Sequence, residues 1–508
     1  MPGFTSIPLG QPIPPTPHAV SCSLPTMRDV RGYEEKDPEI TSRMSSGYPR
    51  FVVHPYIRRL ADHLSAEARL AGQRLWLTSS AKMAVALSQH LSAPQAEGSG
   101  AKVEAGLFSA GGINGVIHAD TAEISARAKV FLQNVGGFLS SREAEDHLLR
   151  LGVIREAHGE NLFAGNAAEQ VRRQLRRALP RTGDNDIFLA NSGMNSVYSA
   201  FHAAAELQAT RGRTIWVQLG WLYMDTIAIL KKFTATPDDY VYLHDVFNLS
   251  ALEKLFAEKG SRIAGLITEI PTNPLIQTPN VSVLTGLCRR HGAILILDPS
   301  VASLFSVNLL PHADMIVSSL TKFTGNEGDV MAGVVAINPA SADAAELRQR
   351  VGARIEPIYA RDLARLAAQM GQTETMLYRL ASSTPQVAAF LAGHRKVKDV
   401  FWALSPESRS NYRQIAWHPE AVGGMISFTL RGPLELFYDR VRLPKGPSFG
   451  MKKTLICPFM YLAHYDLVKT PAGRAELAQS GLDPDLLRLC IGTEPVVDIL
   501  SALDDALE

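Results

Sequence analysis

The chain has 508 residues, a formal net charge of +1 and an apolar fraction of 46%, so it can bury a large core and shows no bias toward nucleic-acid partners. Its four cysteines lie far apart with no Cys-x-x-Cys pair, which argues against a zinc site, any other metal site, or a disulfide framework. No apolar run approaches the roughly eighteen residues of a spanning helix and no signal peptide is recognisable, so we expect a cytoplasmic protein without a membrane partner.

The first region, residues 1–180, is predicted to be an arm followed by helices. Clustered prolines and little helical period up to about residue 50 indicate an extended arm of the kind that contacts a partner subunit. From about 55 onward the pattern is helical, and residues 167–179 show one apolar stripe and one basic face, typical of a solvated surface helix. The small and polar residues 92–100 predict a loop.

The second region, residues 181–365, is predicted to be an α/β domain. Short apolar strands alternate there with helices, which favours a mainly parallel sheet covered on both faces. The apolar runs 293–298 and 313–319 are two such strands, with Asp298 closing the first and Lys322 following the second. Open α/β sheets bind ligands beyond the carboxyl ends of their strands, so a site is expected at this edge.

A lysine opposite a fixed carboxylate at such an edge can hold an aldehyde cofactor. The amine of Lys322 can form a Schiff base, and Asp298 can keep the pyridine nitrogen of pyridoxal 5'-phosphate (PLP) protonated, so that the ring accepts electrons. Taken alone, the same two residues would more often be a helix cap and a solvated amine. The assignment therefore depends on the rest of the chain.

A candidate phosphate seat lies where the strand after Asp186 leads through Ser192, Gly193 and Met194 into an amphipathic helix. The free backbone N–H groups at a helix start, together with the helix dipole, attract a phosphate dianion. An ordinary serine cap followed by a glycine fits this segment about equally well on its own.

The third region, residues 366–508, is predicted to be a smaller α+β domain. A long helical stretch from about 360 to 395 leads into it, and it contains the strand-like run 423–428 and Arg488.

Taken in order, these motifs resemble the PLP-dependent enzymes of Cys/Met metabolism, typified by cystathionine γ-synthase. The matching segments, with the family's form in parentheses, are Ser192-Gly-Met194, Tyr223-Met-Asp-Thr226 (Tyr-Gly-Gly-Thr), Thr268-Glu-Ile-Pro-Thr-Asn-Pro274 (Glu-Ser-Pro-Thr-Asn-Pro), Asp298-Pro-Ser300 (Asp-Asn-Thr), Ser319-Leu-Thr-Lys322 (Ser-Ala-Thr-Lys) and Leu487-Arg-Leu-Cys-Ile-Gly-Thr-Glu494 (Val-Arg-Leu-Ser-Val-Gly-Ile-Glu). The amino-terminal segments 14–26, 32–35 and 47–54 resemble the extended leader of fungal cystathionine γ-synthases, which bacterial members are expected to lack.

The resemblance implies a fold type I PLP-dependent transferase, with a mainly parallel sheet in a large cofactor domain, a smaller α+β C-terminal domain and an extended N-terminal region. It implies that Lys322 binds PLP and serves as base, and that Tyr223 stacks on the ring and can take part in proton transfer. The implied cofactor contacts are Ser192, Gly193, Met194, Tyr223, Asn273, Asp298, Ser300, Ser319, Thr321 and Lys322. Arg488 would clamp the substrate carboxylate, with Thr454 nearby.

The resemblance also implies a homo-oligomer, a dimer or tetramer, whose active site is shared between subunits. In this longer branch an arginine of a neighbouring subunit is expected to reach the phosphate. Leu139-Ser-Ser-Arg142 is taken as the match to the family's Tyr-Ser-Arg, although the tyrosine is absent and Gly165-Asn166 follows much later than in the family. Arg142 is therefore a candidate phosphate ligand.

The reaction that the resemblance implies is γ-replacement on a small amino-acid substrate, an O-acyl-L-homoserine and by preference the acetyl ester, with cysteine as acceptor. Two departures from the family, at residues 325–328 and 450–455, leave the nucleophile open. Sulfide, a carbon acid, another nucleophile of secondary metabolism, or a lyase reaction without an acceptor remain alternatives. The Lys452-Lys453 pair in the second departure is interpreted as exposed, or else as attracting an anionic second substrate.

Two interpretations from other classes are weaker. Ser319 and Lys322 also fit the Ser-x-x-Lys of penicillin-binding enzymes, but the companion motifs Ser-Asp-Asn and Lys-Thr-Gly are absent from the sequence. A catalytically silent scaffold is disfavoured because Lys322, Asp298 and Arg488 are all present.

Overall fold

The amino-terminal third contains both helices and a small antiparallel sheet. The structure is a computed structural model that describes residues 3–93 and 103–508, so most of the loop predicted at 92–100 lies outside the described residues. Its elements are β1 (Pro12–Ile13), β2 (Ser21–Cys22), α1 (Met27–Glu35), α2 (Pro38–Thr41), α3 (Pro55–Glu67), β3 (Gln73–Thr78), α4 (Ala81–Ser92), β4 (Gly106–Ala110), β5 (Ile113–Ala119), α5 (Ala122–Val135), α6 (Ser141–Arg150) and α7 (Ala167–Ala178). The sheet β3-β5-β4 was not predicted from the sequence. Leu75, Trp76 and Leu77 of β3 are all buried, and such an unbroken apolar run gives no two-residue alternation to distinguish a strand from a helix.

The first 50 residues pack against the carboxyl-terminal part of the same chain. Leu24, Met27 and Val30 are buried in the hydrophobic core of that part. The Met27 N–H donates to Asp439 (2.8 Å), and the Tyr438 hydroxyl donates to the Leu24 carbonyl (2.9 Å). These contacts hold the arm against the carboxyl-terminal part of the chain before the arm reaches the large sheet.

The middle region is the α/β domain predicted from the sequence. Its elements are β6 (Ile187–Ala190), α8 (Gly193–Ala209), β7 (Ile215–Leu219), α9 (Met224–Phe233), β8 (Tyr240–Leu243), α10 (Leu249–Lys259), β9 (Ile263–Glu269), α11 (Val281–His291), β10 (Ile294–Asp298), β11 (Met315–Ser319), β12 (Gly333–Ile337), α12 (Ala344–Arg354) and α13 (Ala360–Met370), with 3-10 turns at Asp184–Asp186, Pro237–Asp239 and Leu310–His312. The strand order is β6-β12-β11-β10-β9-β7-β8, and β12 alone runs antiparallel to its neighbours. The mainly parallel sheet is thus confirmed.

The register of this sheet brings the predicted motifs to one edge. Asp298 at the end of β10 lies opposite Glu269 at the end of β9. Gly333 at the start of β12 pairs with Ser319 on one side and with Ala190 on the other. Because β6 and β11 both end next to Gly333, the start of α8 lies beside the segment that leads to Lys322.

The carboxyl-terminal region is the smaller α+β unit. Its elements are α14 (Thr373–Gly393), β13 (Val397–Trp402), α15 (Arg409–Ile415), β14 (Met425–Leu430), α16 (Leu434–Arg440), β15 (Leu455–Pro458), α17 (Phe459–Ala463), α18 (Tyr465–Val468), α19 (Pro471–Gln479), β16 (Leu487–Cys490) and α20 (Val496–Leu507). The antiparallel sheet β13-β14-β16-β15 places Arg488 on an inner strand. Within the described ranges, no helix has both the length and the apolar character needed to cross a membrane.

Candidate active site

A pocket at the carboxyl edge of the large sheet gathers most of the residues predicted from the sequence. Residues of the smaller sheet close its other side. The predicted residues that line it are Ser192, Gly193, Met194, Tyr223, Asn273, Asp298, Ser300, Ser319, Thr321, Lys322 and Arg488. Arg142 and Thr454 are not among the described residues that line it.

Lys322 is buried at the centre of this pocket. Its ammonium group donates to the Ser448 hydroxyl (2.6 Å) and the Tyr48 hydroxyl (3.4 Å), and it lies 4.8 Å from the centre of the Tyr48 ring. Burial, which disfavours the charged form, lowers the pKa of the amine. A lowered pKa makes the neutral amine, which is the form that acts as nucleophile or base, more available.

A close approach of two backbone segments holds Lys322 in position. Gly450 has φ +79°, and a Cβ there would lie 2.4 Å from the Phe323 nitrogen and 3.0 Å from the Lys322 Cα. Only glycine combines that backbone conformation with that approach. Ser448 and Phe449, which precede this glycine, both contact the Lys322 amine.

Two carboxyl groups meet at the other end of the pocket. Asp298 accepts the Ser300 N–H (2.8 Å), yet burial raises its pKa to about 6. Glu269 accepts the Tyr223 N–H (2.6 Å), and burial followed by the charge of Asp298 raises its pKa well above the usual value. Because neighbouring carboxylates resist double ionisation, a cationic group such as a protonated pyridine nitrogen would be favoured at this end. Glu269 belongs to a motif recognised in the sequence, but sequence reasoning did not assign it to the site.

The start of α8 forms the predicted anion seat. The Ser192 hydroxyl caps the helix by accepting the Asn195 N–H (3.2 Å). A Cβ added to Gly193 would lie 2.7 Å from the Ser319 Cβ, so the glycine allows the helix start to lie directly against the end of β11. The first N–H groups of a helix have no partner within the helix and can bind a phosphate.

Thr321 lines the pocket, and its contact with the cofactor stays a prediction. Its hydroxyl donates to the Ala332 carbonyl (3.3 Å) and accepts the Ala332 N–H (3.1 Å). Ser300 likewise uses its hydroxyl to accept the Ser319 N–H (2.8 Å). Both side chains thus brace the segment that carries Lys322, and the combination of lysine, carboxyl pair and anion seat fits PLP.

Tyr48 and Arg50 of the amino-terminal arm enter the same pocket, and sequence reasoning missed both. Arg50 donates to the Asp225 carboxylate (2.6 Å) and to the Tyr223 hydroxyl. Burial opposes ionisation of Tyr48, but the charges of Lys322 and Arg50 bring its pKa below the usual value. Tyr48-Pro-Arg50 has the tyrosine and spacing of the Tyr-Ser-Arg pattern, and that signal was present in the sequence.

Arg142, assigned to the phosphate from the sequence, lies outside the pocket within its own chain. It is ion-paired with Glu160 (2.7 Å) and Asp362 (2.8 Å), and it donates to the Asp329 carbonyl (2.8 Å). These acceptors already compensate the charge of the guanidinium, so Arg142 belongs to a buried cluster of ion pairs. A contact with the phosphate of a neighbouring subunit stays a prediction.

Arg488 has the surroundings expected of a carboxylate clamp. It is 6% exposed and lies between the rings of Phe449 and Phe459, at 4.9 and 4.7 Å from their centres. Its guanidinium donates to the Ser448 carbonyl (2.9 Å) and to the Asn273 side-chain oxygen (3.3 Å). The planar group is thereby oriented by Ser448 and Asn273, with further N–H donors to offer a ligand.

Thr454 is not among the described residues that line the pocket, although Phe449 and Cys457 on either side of it are. Its hydroxyl donates to Glu494 (2.8 Å) and accepts the Gly492 N–H (2.9 Å), and its contact with the substrate stays a prediction. Lys452 donates to Glu327 and Lys453 is exposed, so neither lysine offers its charge to the pocket.

Known proteins resemble this chain over nearly its whole length. Residues 168–508 match the model of a family described as Cys/Met metabolism PLP-dependent enzyme. L-2-amino-4-chloropent-4-enoate dechlorinase/desaturase of Streptantibioticus cattleyicolor is 37% identical over 98% of both chains. Cystathionine γ-synthase of Neurospora crassa is 26% identical, also over 98% of both chains.

A solved structure supports the fold. Cystathionine γ-synthase from Xanthomonas oryzae pv. oryzae superposes with a TM-score of 0.57 at 20% identity, covering 69% of this chain and 89% of the other. The Streptantibioticus relative is bacterial and spans 98% of the chain, so the expectation that the leader is confined to fungal enzymes is wrong.

Proposed function

The chain belongs to the Cys/Met metabolism family of PLP-dependent enzymes, and from this premise we propose that it removes a substituent from Cγ of an L-2-amino acid by elimination. The family's cofactor is PLP, and the chain is of the cystathionine γ-synthase type. When bound, PLP supplies the electron sink that stabilises negative charge on the carbon framework of an amino acid.

The number of cationic side chains in the pocket is the observation that favours elimination over replacement. Among the described residues, Arg50, Lys322 and Arg488 are the cationic side chains that line it. We assign Arg488 to the substrate carboxylate, Lys322 to the reacting amine and Arg50, which Asp225 already engages, to the cofactor phosphate. Replacement by cysteine would bring a second carboxylate into the pocket, the described residues of this chain that line it offer no further cation, and burying an uncompensated charge is costly.

The remaining lining favours a small and uncharged side chain. The apolar residues along the pocket wall are Phe51, Met194, Val197, Met224, Val301, Met331, Phe449, Phe459, Leu462 and Ala463. The name of the 37% identical relative describes its substrate as a 2-amino acid with chlorine on C4, which is Cγ. We extend that substrate class, a γ-halogenated and unsaturated L-2-amino acid, to this chain.

In this proposal the chain's own residues bind the substrate and move protons. Arg488 holds the α-carboxylate, which directs the Cα–H toward the Lys322 amine. Lys322, with its pKa lowered by burial, takes the Cα proton and transfers protons at Cβ. A Cβ–H bond breaks as chloride leaves Cγ with its bonding electron pair, and a new π bond forms between these carbons. Lys322 returns a proton to Cα, so the products are the more unsaturated amino acid, chloride and one proton.

The second candidate is γ-replacement on O-acetyl-L-homoserine with cysteine. Relatives named cystathionine γ-synthase that match almost the full length of the chain favour it. A homo-oligomer is proposed for both candidates.

Product analysis with purified holoenzyme tests the choice. L-2-Amino-4-chloropent-4-enoate alone is expected to release chloride and give a product lacking HCl, at a rate that added cysteine does not change. O-Acetyl-L-homoserine is then tested with cysteine, with sulfide and with a β-keto acid. A condensation product formed with higher kcat/KM than chloride release would overturn elimination, and release of neither substituent would overturn γ-chemistry altogether.

A further inference from the structure

The ion pair between Arg50 and Asp225 joins the amino-terminal arm to the first turn of α9. Arg50 is 3% exposed and Asp225 is 1% exposed, and their side chains approach to 2.6 Å. The family form of this turn is Tyr-Gly-Gly-Thr, whereas this chain has Tyr223-Met-Asp-Thr226. The carboxylate therefore stands where the family motif has no side chain.

Asp225 is also fixed by hydrogen bonds from residues other than Arg50. Its second oxygen accepts from the side-chain amides of Gln133 (2.9 Å) and Asn134 (2.9 Å). Asn134 in turn accepts from the Lys232 ammonium (2.7 Å). A carboxylate fixed by three partners has one orientation, and it transmits that orientation to Arg50.

The guanidinium of Arg50 is oriented on three sides. It donates to Asp225, to the Gln133 carbonyl (3.0 Å) and to the Tyr223 hydroxyl. Because arginine has five N–H donors, donor capacity remains for a phosphate. Arg50 and Ser192 line both the active-site pocket and the cavity next to it, so the guanidinium lies on the side of the anion seat.

We propose that Asp225 is a positioning residue that holds Arg50 in place for the cofactor phosphate before PLP binds. A buried guanidinium without a counter-charge would be costly, and Asp225 removes that cost in the free protein. Preorganisation of this kind increases affinity by reducing what binding must order. The proposal rests on the assignment of the phosphate to the Arg50 side of the pocket and is independent of the γ-substituent.

The test compares two ligands on the full-length protein after removal of its cofactor. PLP carries the phosphate and pyridoxal lacks it, so the ratio of their affinities isolates the phosphate contribution. Asp225→Asn is expected to weaken the binding of PLP about tenfold or more, as for the loss of a hydrogen bond to a charged group, and the binding of pyridoxal less than threefold. Asp186→Asn, which removes a partly buried ion pair with Arg348 (2.6 Å) away from the pocket, is the control and should leave both affinities unchanged.

A second arm uses Arg50→Met. This variant should weaken PLP selectively, and adding Asp225→Asn to it should cause no further loss, because the carboxylate acts through the arginine. The proposal is overturned if the two substitutions together lower the PLP affinity by the product of their separate effects. It is also overturned if Asp225→Asn lowers the affinities for PLP and pyridoxal equally. If Arg50→Met itself shows no selectivity for PLP, the assignment of the phosphate is wrong instead.

A milder variant keeps the proposal testable if Asp225→Asn does not fold. Gln133→Met removes one hydrogen bond to Asp225 and retains the backbone carbonyl that Arg50 contacts. A smaller loss, selective for PLP over pyridoxal, is expected. Unchanged PLP affinity in this variant would count against positioning through Asp225.

Discussion

Asp298 and Glu269 lie opposite each other at the ends of neighbouring parallel strands, so two carboxyl groups share one end of the pocket. Burial raises the pKa of both, and the charge of Asp298 raises the pKa of Glu269 further. A cationic pyridine ring would relieve this repulsion, so the site is built for a positively charged ring.

Removing the Asp298 carboxyl should change how stability depends on pH. Its folded-state pKa of about 6 exceeds the ordinary value, so between about pH 4 and 6 the folded cofactor-free chain holds a proton that the unfolded chain has lost. Stability therefore falls as pH rises through this window, by about 2 to 3 kcal/mol. Denaturant unfolding of wild type and Asp298→Asn from pH 4 to 7 should show a smaller fall in the variant; parallel curves would contradict the raised pKa.

Lys322→Ala should remove the visible absorbance band of lysine-bound PLP together with activity. The Lys322 amine is the one lysine nitrogen lining the pocket among the described residues. Lys452→Ala, which alters a lysine paired with Glu327 outside the pocket, is the control and should retain the band. A colourless wild type whose activity depends on Ser319 would instead support the Ser-x-x-Lys hydrolase interpretation.

Gly193→Ala should weaken PLP binding by about tenfold or more. The new methyl group would meet Ser319 at 2.7 Å, and overpacking of this kind costs about 1 to 3 kcal/mol. Gly286→Ala in α11 is the matched control, since nothing lies within 4 Å of its added Cβ and the change should be neutral or stabilising. Equal PLP affinity for the two variants would show that the start of α8 does not hold the phosphate.

Arg488→Lys should lower kcat/KM by about 10- to 100-fold, because lysine cannot reproduce the bidentate contact with a carboxylate. The absorbance of the bound cofactor should persist, since Arg488 is assigned to the substrate. Arg440→Lys on the exposed face of α16 provides the control. A loss of cofactor absorbance in Arg488→Lys would reassign this arginine.

Arg142→Met should destabilise the protein without changing cofactor affinity. The variant removes the ion pair of the buried Asp362, whereas Glu160 keeps Arg361 (2.7 Å), and breaking a buried pair costs about 3 to 5 kcal/mol. Thermal unfolding and PLP titration distinguish this outcome from a phosphate role. Selective loss of PLP affinity would restore the prediction that Arg142 reaches a phosphate across a subunit interface.

Contiguous motifs made the lysine, the carboxyl group and the anion seat recognisable in the sequence. Asp298, Lys322 and the Ser192 segment each stand at a strand end or a helix start, and the strand–helix alternation fixes which edge of the sheet those positions occupy. Strand ends and helix starts depend on interactions within a few residues, so a linear pattern is enough to predict them. The same holds for the mainly parallel sheet.

The tertiary structure alone decided which distant residues complete the pocket. Arg50 and Asp225 are 175 positions apart, and nothing local to either indicates the other. Arg142 and Thr454 were assigned from the resemblance to family motifs, and the structure adds that Arg142 is ion-paired with Glu160 and that the Thr454 hydroxyl donates to Glu494. Sequence determined which groups can do chemistry, whereas the partners of each charge, and hence its availability, depend on long-range packing that no local pattern encodes.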